Sequence, residues 1–137
     1  MFYEVIDDIT ADAGIRVRAK SLEELVCKAI LATFYEITNP DDIQEDQRVK
    51  LEVQSEMPFL LADAINKLLT IFESKLFVPK SCRVLSLDEK GATVELRGGS
   101  FDPDKHERKL VIKAATYHRL RVEKEGNNYV AEVIFDI

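Results

Sequence analysis

The chain has 137 residues, enough for one hydrophobic core and too few for two. Its 46% hydrophobic and 32% charged residues place it among folded globular domains rather than disordered chains. A net charge of −6, from 25 acidic and 19 basic residues, argues against tight autonomous binding of nucleic acid. No apolar run approaches the ~20 residues of a membrane span. The N-terminal residues lack the basic and apolar regions of a secretory signal, so the expected address is cytoplasmic.

Phe2 to Ile6 reads as a first strand, followed by the acidic turn Asp7-Asp8-Ile9-Thr10-Ala11-Asp12. Ile15, Val17 and Ala19 alternate with Arg16, Arg18 and Lys20, the period of a half-buried strand. Ser21 and Glu24 form an S-x-x-E capping box, the hydroxyl serving the Glu24 amide and the carboxylate reaching back to the Ser21 amide. Behind it Leu22, Leu25, Val26, Ala29, Ile30, Thr33, Phe34 and Ile37 keep helical spacing, which predicts a helix near 21–37. Asn39-Pro40 stops it, because the residue before proline avoids the α region.

Val49, Leu51 and Val53 alternate with Arg48, Lys50 and Glu52 in another strand. Pro58 suits the first turn of a second helix, near 58–74, with Leu61, Ala64, Ile65, Leu68, Leu69 and Phe72 as its apolar stripe. From Leu76 onward the pattern is all β, with hairpin turns at Asp88-Glu89-Lys90-Gly91 and Glu125-Gly126-Asn127-Asn128. Two helices with single apolar faces need a sheet to cover. The expected fold is therefore a single α+β domain over 1–137, a two-layer sandwich with both helices on one face of one largely antiparallel sheet. Leu25, Ile30, Phe34, Ile65, Leu68 and Phe72 are the expected core.

Cys27 and Cys82 are 55 positions apart, with no second Cys or His beside either. That spacing disfavours zinc, and each is expected as a buried small hydrophobe. Gly98-Gly99 reads as a turn or bulge with positive φ. No nucleophile elbow, P-loop or dinucleotide fingerprint is present. Carboxylates are the more informative groups. Asp7, Asp8 and Asp12 share one turn and Asp136 is penultimate, beside the carboxylate of Ile137. A hard cation taking six to eight oxygens could start from such groups if the last strand runs beside the first. On spacing alone the same acids read more readily as solvated turn residues. Asp102, Asp104, Lys105 and His106 form a charged turn and loop, and His118 reads as a strand residue facing solvent.

At these residues the sequence resembles the archease family. The carriers are Ile9-Thr10-Ala11-Asp12-Ala13-Gly14-Ile15, Ser21-Leu22-Glu23-Glu24-Leu25 and Leu68-Leu69-Thr70-Ile71-Phe72. They continue with the block from Gly98 to His106, Ile112-Lys113-Ala114-Ala115-Thr116-Tyr117-His118, and the closing Asp136-Ile137. Ile9 stands where the family has His and Gly99 where it has Glu, so no role of that His or Glu transfers.

The resemblance implies a non-catalytic accessory protein that promotes guanylylation and turnover of a GTP-dependent RNA-splicing ligase. RNA would be met only through that ligase. It assigns a divalent ion, calcium by the family's usual description, to Asp12, Asp136 and Ile137. It leaves Asp8, Asp102, His106, Lys113, Tyr117 and His118 as candidate partner-contact or functional residues. A stand-alone metal-dependent hydrolase is the competing class, weakened by the missing His ligands and paired nucleophile. A general chaperone would require a large exposed apolar patch.

Overall fold

A computed structural model describes residues 1–9 and 12–137; Thr10 and Ala11 of the first family-like segment lie outside the described residues. The first strand, β1 (Tyr3–Val5), pairs antiparallel with β2 (Ala13–Ala19). Helix α1 (Leu22–Ile37) follows, then β3 (Gln47–Val53) and helix α2 (Phe59–Lys75). The remaining strands are β4 (Phe77–Asp88), β5 (Gly91–Ser100), β6 (Ala114–Ala115), β7 (Arg121–Glu125) and β8 (Asn128–Asp136).

Both helices stand where the periodicity puts them. Ser21 caps α1, its Oγ accepting from the Glu24 amide at 3.1 Å. The Glu24 carboxylate reaches back to the Lys20 amide at 3.5 Å, one residue earlier than the capping box predicts, and also pairs with Lys28. Pro58 occupies the N-cap of α2 rather than its first turn. Leu76 ends α2 in the left-handed conformation, its amide bonded to the Phe72 carbonyl.

The strands form two sheets, not the single one expected. One contains β1-β2-β8 in order, with β6 and β7 both on the far edge of β8; the other runs β3-β5-β4. All pairings are antiparallel. Side-chain alternation tells which residues face the core but not which strand lies alongside, so the split was invisible in the pattern. Both helices pack against both sheets, and residues from all these layers join one core cluster. Leu25, Ile30, Phe34, Ile65 and Leu68 are fully buried as expected. Phe72 is only partly buried, edge-on to Phe34 and Phe101.

Two further expectations are corrected. Cys27 of α1 and Cys82 of β4 are not free buried thiols; they form a disulfide across a Cα separation of 5.5 Å. A sequence gap of 55 says nothing about distance once a helix folds back onto a strand. Gly98 and Gly99 lie within β5, and neither has a positive φ. They are needed because a Cβ at Gly98 would sit 1.9 Å from the Val78 carbonyl oxygen, and one at Gly99 equally close to that of Gln44. Beside them β4 bulges between Pro79 and Ser81, so a bulge is present, on the partner strand. Both hairpin turns fall where expected, and Gly126 supplies the positive φ in the second.

Candidate functional site: the end of the first sheet

Strand β8 runs beside β2 rather than beside β1, with Ala13 facing Phe135 as their outermost pair. The register stops there, so Asp12, just before β2, and Asp136, the last residue of β8, lie at the same end of the sheet. Ile15, Val17, Val133 and Phe135 fill the core, so alternation puts Asp12 and Asp136 on the opposite, outer face, and both are exposed. Across the other edge of β8, Ala114 pairs with Asp136, and the Lys113 amide donates to the Asp136 carbonyl at 2.8 Å. Lys113 is thus fixed by its main chain, with its side chain exposed. Ile137 follows, 40% exposed.

Like charges brought to one end of a sheet repel each other. A hard cation between them would turn that repulsion into attraction. Among the described residues no three His, Cys, Asp or Glu side chains converge closely enough to form a cage. The first-turn acids therefore do not gather as a group: Asp8 is drawn instead to Arg119, 3.7 Å away. Asp12, Asp136 and Ile137 are the groups at this end that could take part in holding an ion, with water completing its shell.

Next to this end the far edge of β8 is irregular. Between the pairs Ala115–Phe135 and Arg121–Glu132, residues 116–120 face only Val133 and Ile134, so three residues are extruded. The turn carries Tyr117, His118 and Arg119, and Arg119 has a φ of 56°, strained for a residue with a side chain. Two tethers hold it. Tyr117 donates its hydroxyl to Asp63 of α2 at 2.6 Å, and Arg119 pairs with Asp8. The Asp63 carboxylate pushes the Tyr117 phenol above its ordinary value. His118 is exposed in this turn, not in a strand as expected, because the chain loops out before β7 begins.

Asp63, Asn66 and Arg119 carry this arrangement, and sequence reasoning missed all three. Asp63 also accepts the Ser55 hydroxyl at 2.6 Å. The Asn66 amide donates to the Ala115 carbonyl and accepts from its N–H, covering the free edge of β6. For Asp63 and Asn66 the only available signal was two polar residues three positions apart on the flank of the α2 stripe.

Asp102 and His106 belong elsewhere. The Asp102 amide donates to His106 Nδ1 at 2.8 Å, and the Asp102 carbonyl accepts from the His106 amide at 2.8 Å. The Asp102 carboxylate accepts from the Asp104 amide at 2.9 Å. These bonds close a local turn, with the ring beside Phe101.

Residues 3–137 match the Archease protein family (MTH1598/TM1083). The chain belongs to the archease family. A protein archease from Sulfurisphaera tokodaii is 34% identical over 131 residues, covering 93% of this chain and 94% of the relative. One from Archaeoglobus fulgidus is 34% identical over the full length of both. The solution structure of Methanobacterium thermoautotrophicum protein 1598 superposes with a TM-score of 0.81 at 28% identity, covering 99% of each chain. A crystal structure titled an archease, possible chaperone, from Thermotoga maritima shares the fold with a TM-score of 0.67 at 24% identity, covering 96% of this chain and 95% of that one. In this archease no helix among the described residues is long and apolar enough to cross a membrane.

Proposed function

We propose that this archease is a non-catalytic accessory protein of a GTP-dependent RNA-splicing ligase, promoting its guanylylation and repeated turnover in the cytoplasm. The reading is supported by membership of the archease family, together with Asp12 and Asp136 lying exposed at the same end of the first sheet, next to the Ala13–Phe135 pair. Asp12, Asp136 and Ile137 would hold one divalent ion, calcium being the family expectation. Such an ion supplies a positive centre for phosphate or carboxylate oxygens.

The chain's own residues do the positioning. The Lys113 amide fixes the Asp136 backbone, and the Arg119–Asp8 pair and the Tyr117–Asp63 bond hold the extruded turn beside it. Tyr117 and Phe59, with ring centroids 4.9 Å apart and both exposed, offer that turn an apolar foothold on the ligase.

A chaperone-like contact is the second reading. It is favoured by a largely apolar hollow of about 250 Å³ bordered by exposed Leu76 and Val111. The test compares labelled-GTP incorporation by the ligase alone, by the ligase with this protein, and phosphate release by this protein alone. Stimulation only in the mixture is expected. Phosphate release without the ligase would favour a hydrolase, and protection of the ligase from aggregation without faster guanylylation would favour the chaperone.

A further inference from the structure

We infer that the outer face of the β3-β5-β4 sheet is a docking surface for the phosphate backbone of RNA. The choice of RNA rests on the proposed partnership with an RNA ligase, and it departs from the expectation that RNA is met only through that ligase. The cross-strand register lays out this face in rows: Arg48, Arg97 and Ser81; Lys50, Glu95 and Arg83; Glu52, Thr93 and Ser86. Four cations therefore share two carboxylates. Arg83 and Arg97 lie 3.8 and 3.7 Å from one Glu95 oxygen, while Arg48 and Lys50 have no carboxylate within 4 Å among the described residues.

The charges differ in access as well as number. The Glu95 side chain is 16% exposed, against 72% for Arg83 and 54% for Arg97. Arg48 and Arg97 face each other directly, a like-charge pair that destabilises a sheet unless an anion lies between them. At that end the hollow lined by Glu45, Asp46 and Gln47 also borders both arginines, and the Glu45 carboxylate is engaged by the Ser81 hydroxyl at 2.7 Å.

Along a strand, same-face residues are about 6.8 Å apart, and neighbouring strands about 4.8 Å. The four cations thus spread over roughly 10 Å, a span suited to a few phosphates in succession. An acidic protein surface is the weaker occupant, because protein interfaces have an apolar centre and this face has none. Of the large apolar side chains on the three strands, only Leu85, at the β4 bulge, is exposed. The absence of an aromatic platform on the face points to backbone contact without base stacking.

The experiment titrates the full-length protein into a fluorescent 24-nucleotide RNA hairpin at several salt concentrations, with polyglutamate as competitor. Wild type should bind weakly and lose affinity steeply with salt. Arg48→Gln with Arg97→Gln should weaken binding about ten-fold and flatten the log–log salt slope by about two, with an unchanged melting curve. Arg18→Gln on the other sheet should have no such effect. No binding at low salt, binding indifferent to the double substitution, or equal displacement by polyglutamate would each overturn the inference. Guanylylation of the ligase without RNA should be unaffected by the double substitution, and its failure with wild type would count against the proposed function alone.

Discussion

The outer faces of the two sheets carry comparable numbers of charges and arrange them in opposite ways. On the first, Arg16 reaches Glu4 and Glu132, Arg18 reaches Glu4 and Glu125, and Arg121 reaches Glu123 and Glu132. Every guanidinium there touches two carboxylates. On the second, Arg83 and Arg97 share Glu95 at longer range, and Arg48 and Lys50 have no such partner. Alternation decides which face a charged residue occupies, and cross-strand register decides whether it is matched. The matched lattice seals a sheet. The unmatched one is left to engage something else.

The comparison presumes one core beneath both sheets. Phe34 sits at its centre, fully buried, so Phe34→Ala should destabilise the whole protein by about 3–5 kcal/mol in one cooperative transition. A melt that resolves into two transitions, one per sheet, would break the comparison at its root. Next in size is the Cys27–Cys82 bond, which ties α1 to the edge strand of the second sheet. Closing a loop of this length stabilises a fold by roughly 2–4 kcal/mol, and reduction should lower the melting temperature accordingly. Hydrogen exchange should then rise more in β4 than in β8.

Glu132 tests the matched face. It is 5% exposed, and bonds from Arg121 and then Arg16 hold its carboxyl below the ordinary carboxylate range. A depressed folded value means the contribution is present above the unfolded value and is lost as pH falls through the folded one. Glu132→Gln should cost about 2 kcal/mol at neutral pH and remove part of the acid sensitivity of the melt. An unchanged acid limb would show that the lattice contributes nothing. The smallest effect belongs to the other face: Arg97→Gln should leave stability within about 0.5 kcal/mol or raise it, since it relieves the Arg48 pair. Marked destabilisation would mean that the two faces are equivalent after all.

What the sequence disclosed follows the range of each signal. Capping at Ser21, the stop at Asn39-Pro40 and the two apolar stripes are local, and both helices came out within about one residue of expectation. The hairpin turns are local too. The split into two sheets, the disulfide and the extruded turn at Tyr117 to Arg119 depend on partners dozens of residues away, which periodicity does not encode. Asp12 and Asp136 stand out with the help of the family resemblance, and only the β2–β8 register brings them to one end of the sheet. His106 was a candidate functional residue, and the structure adds that its Nδ1 accepts from the Asp102 amide.

The central claim is that Asp12 and Asp136 act together on the partner ligase. Its most direct measurement is the rate of ligase guanylylation with wild type, Asp12→Ala, Asp136→Ala and the double variant, each first shown to melt like wild type. Either single substitution should abolish stimulation, the double variant should be no worse, and Asp104→Ala should stimulate normally. Full stimulation by the double variant would contradict the claim.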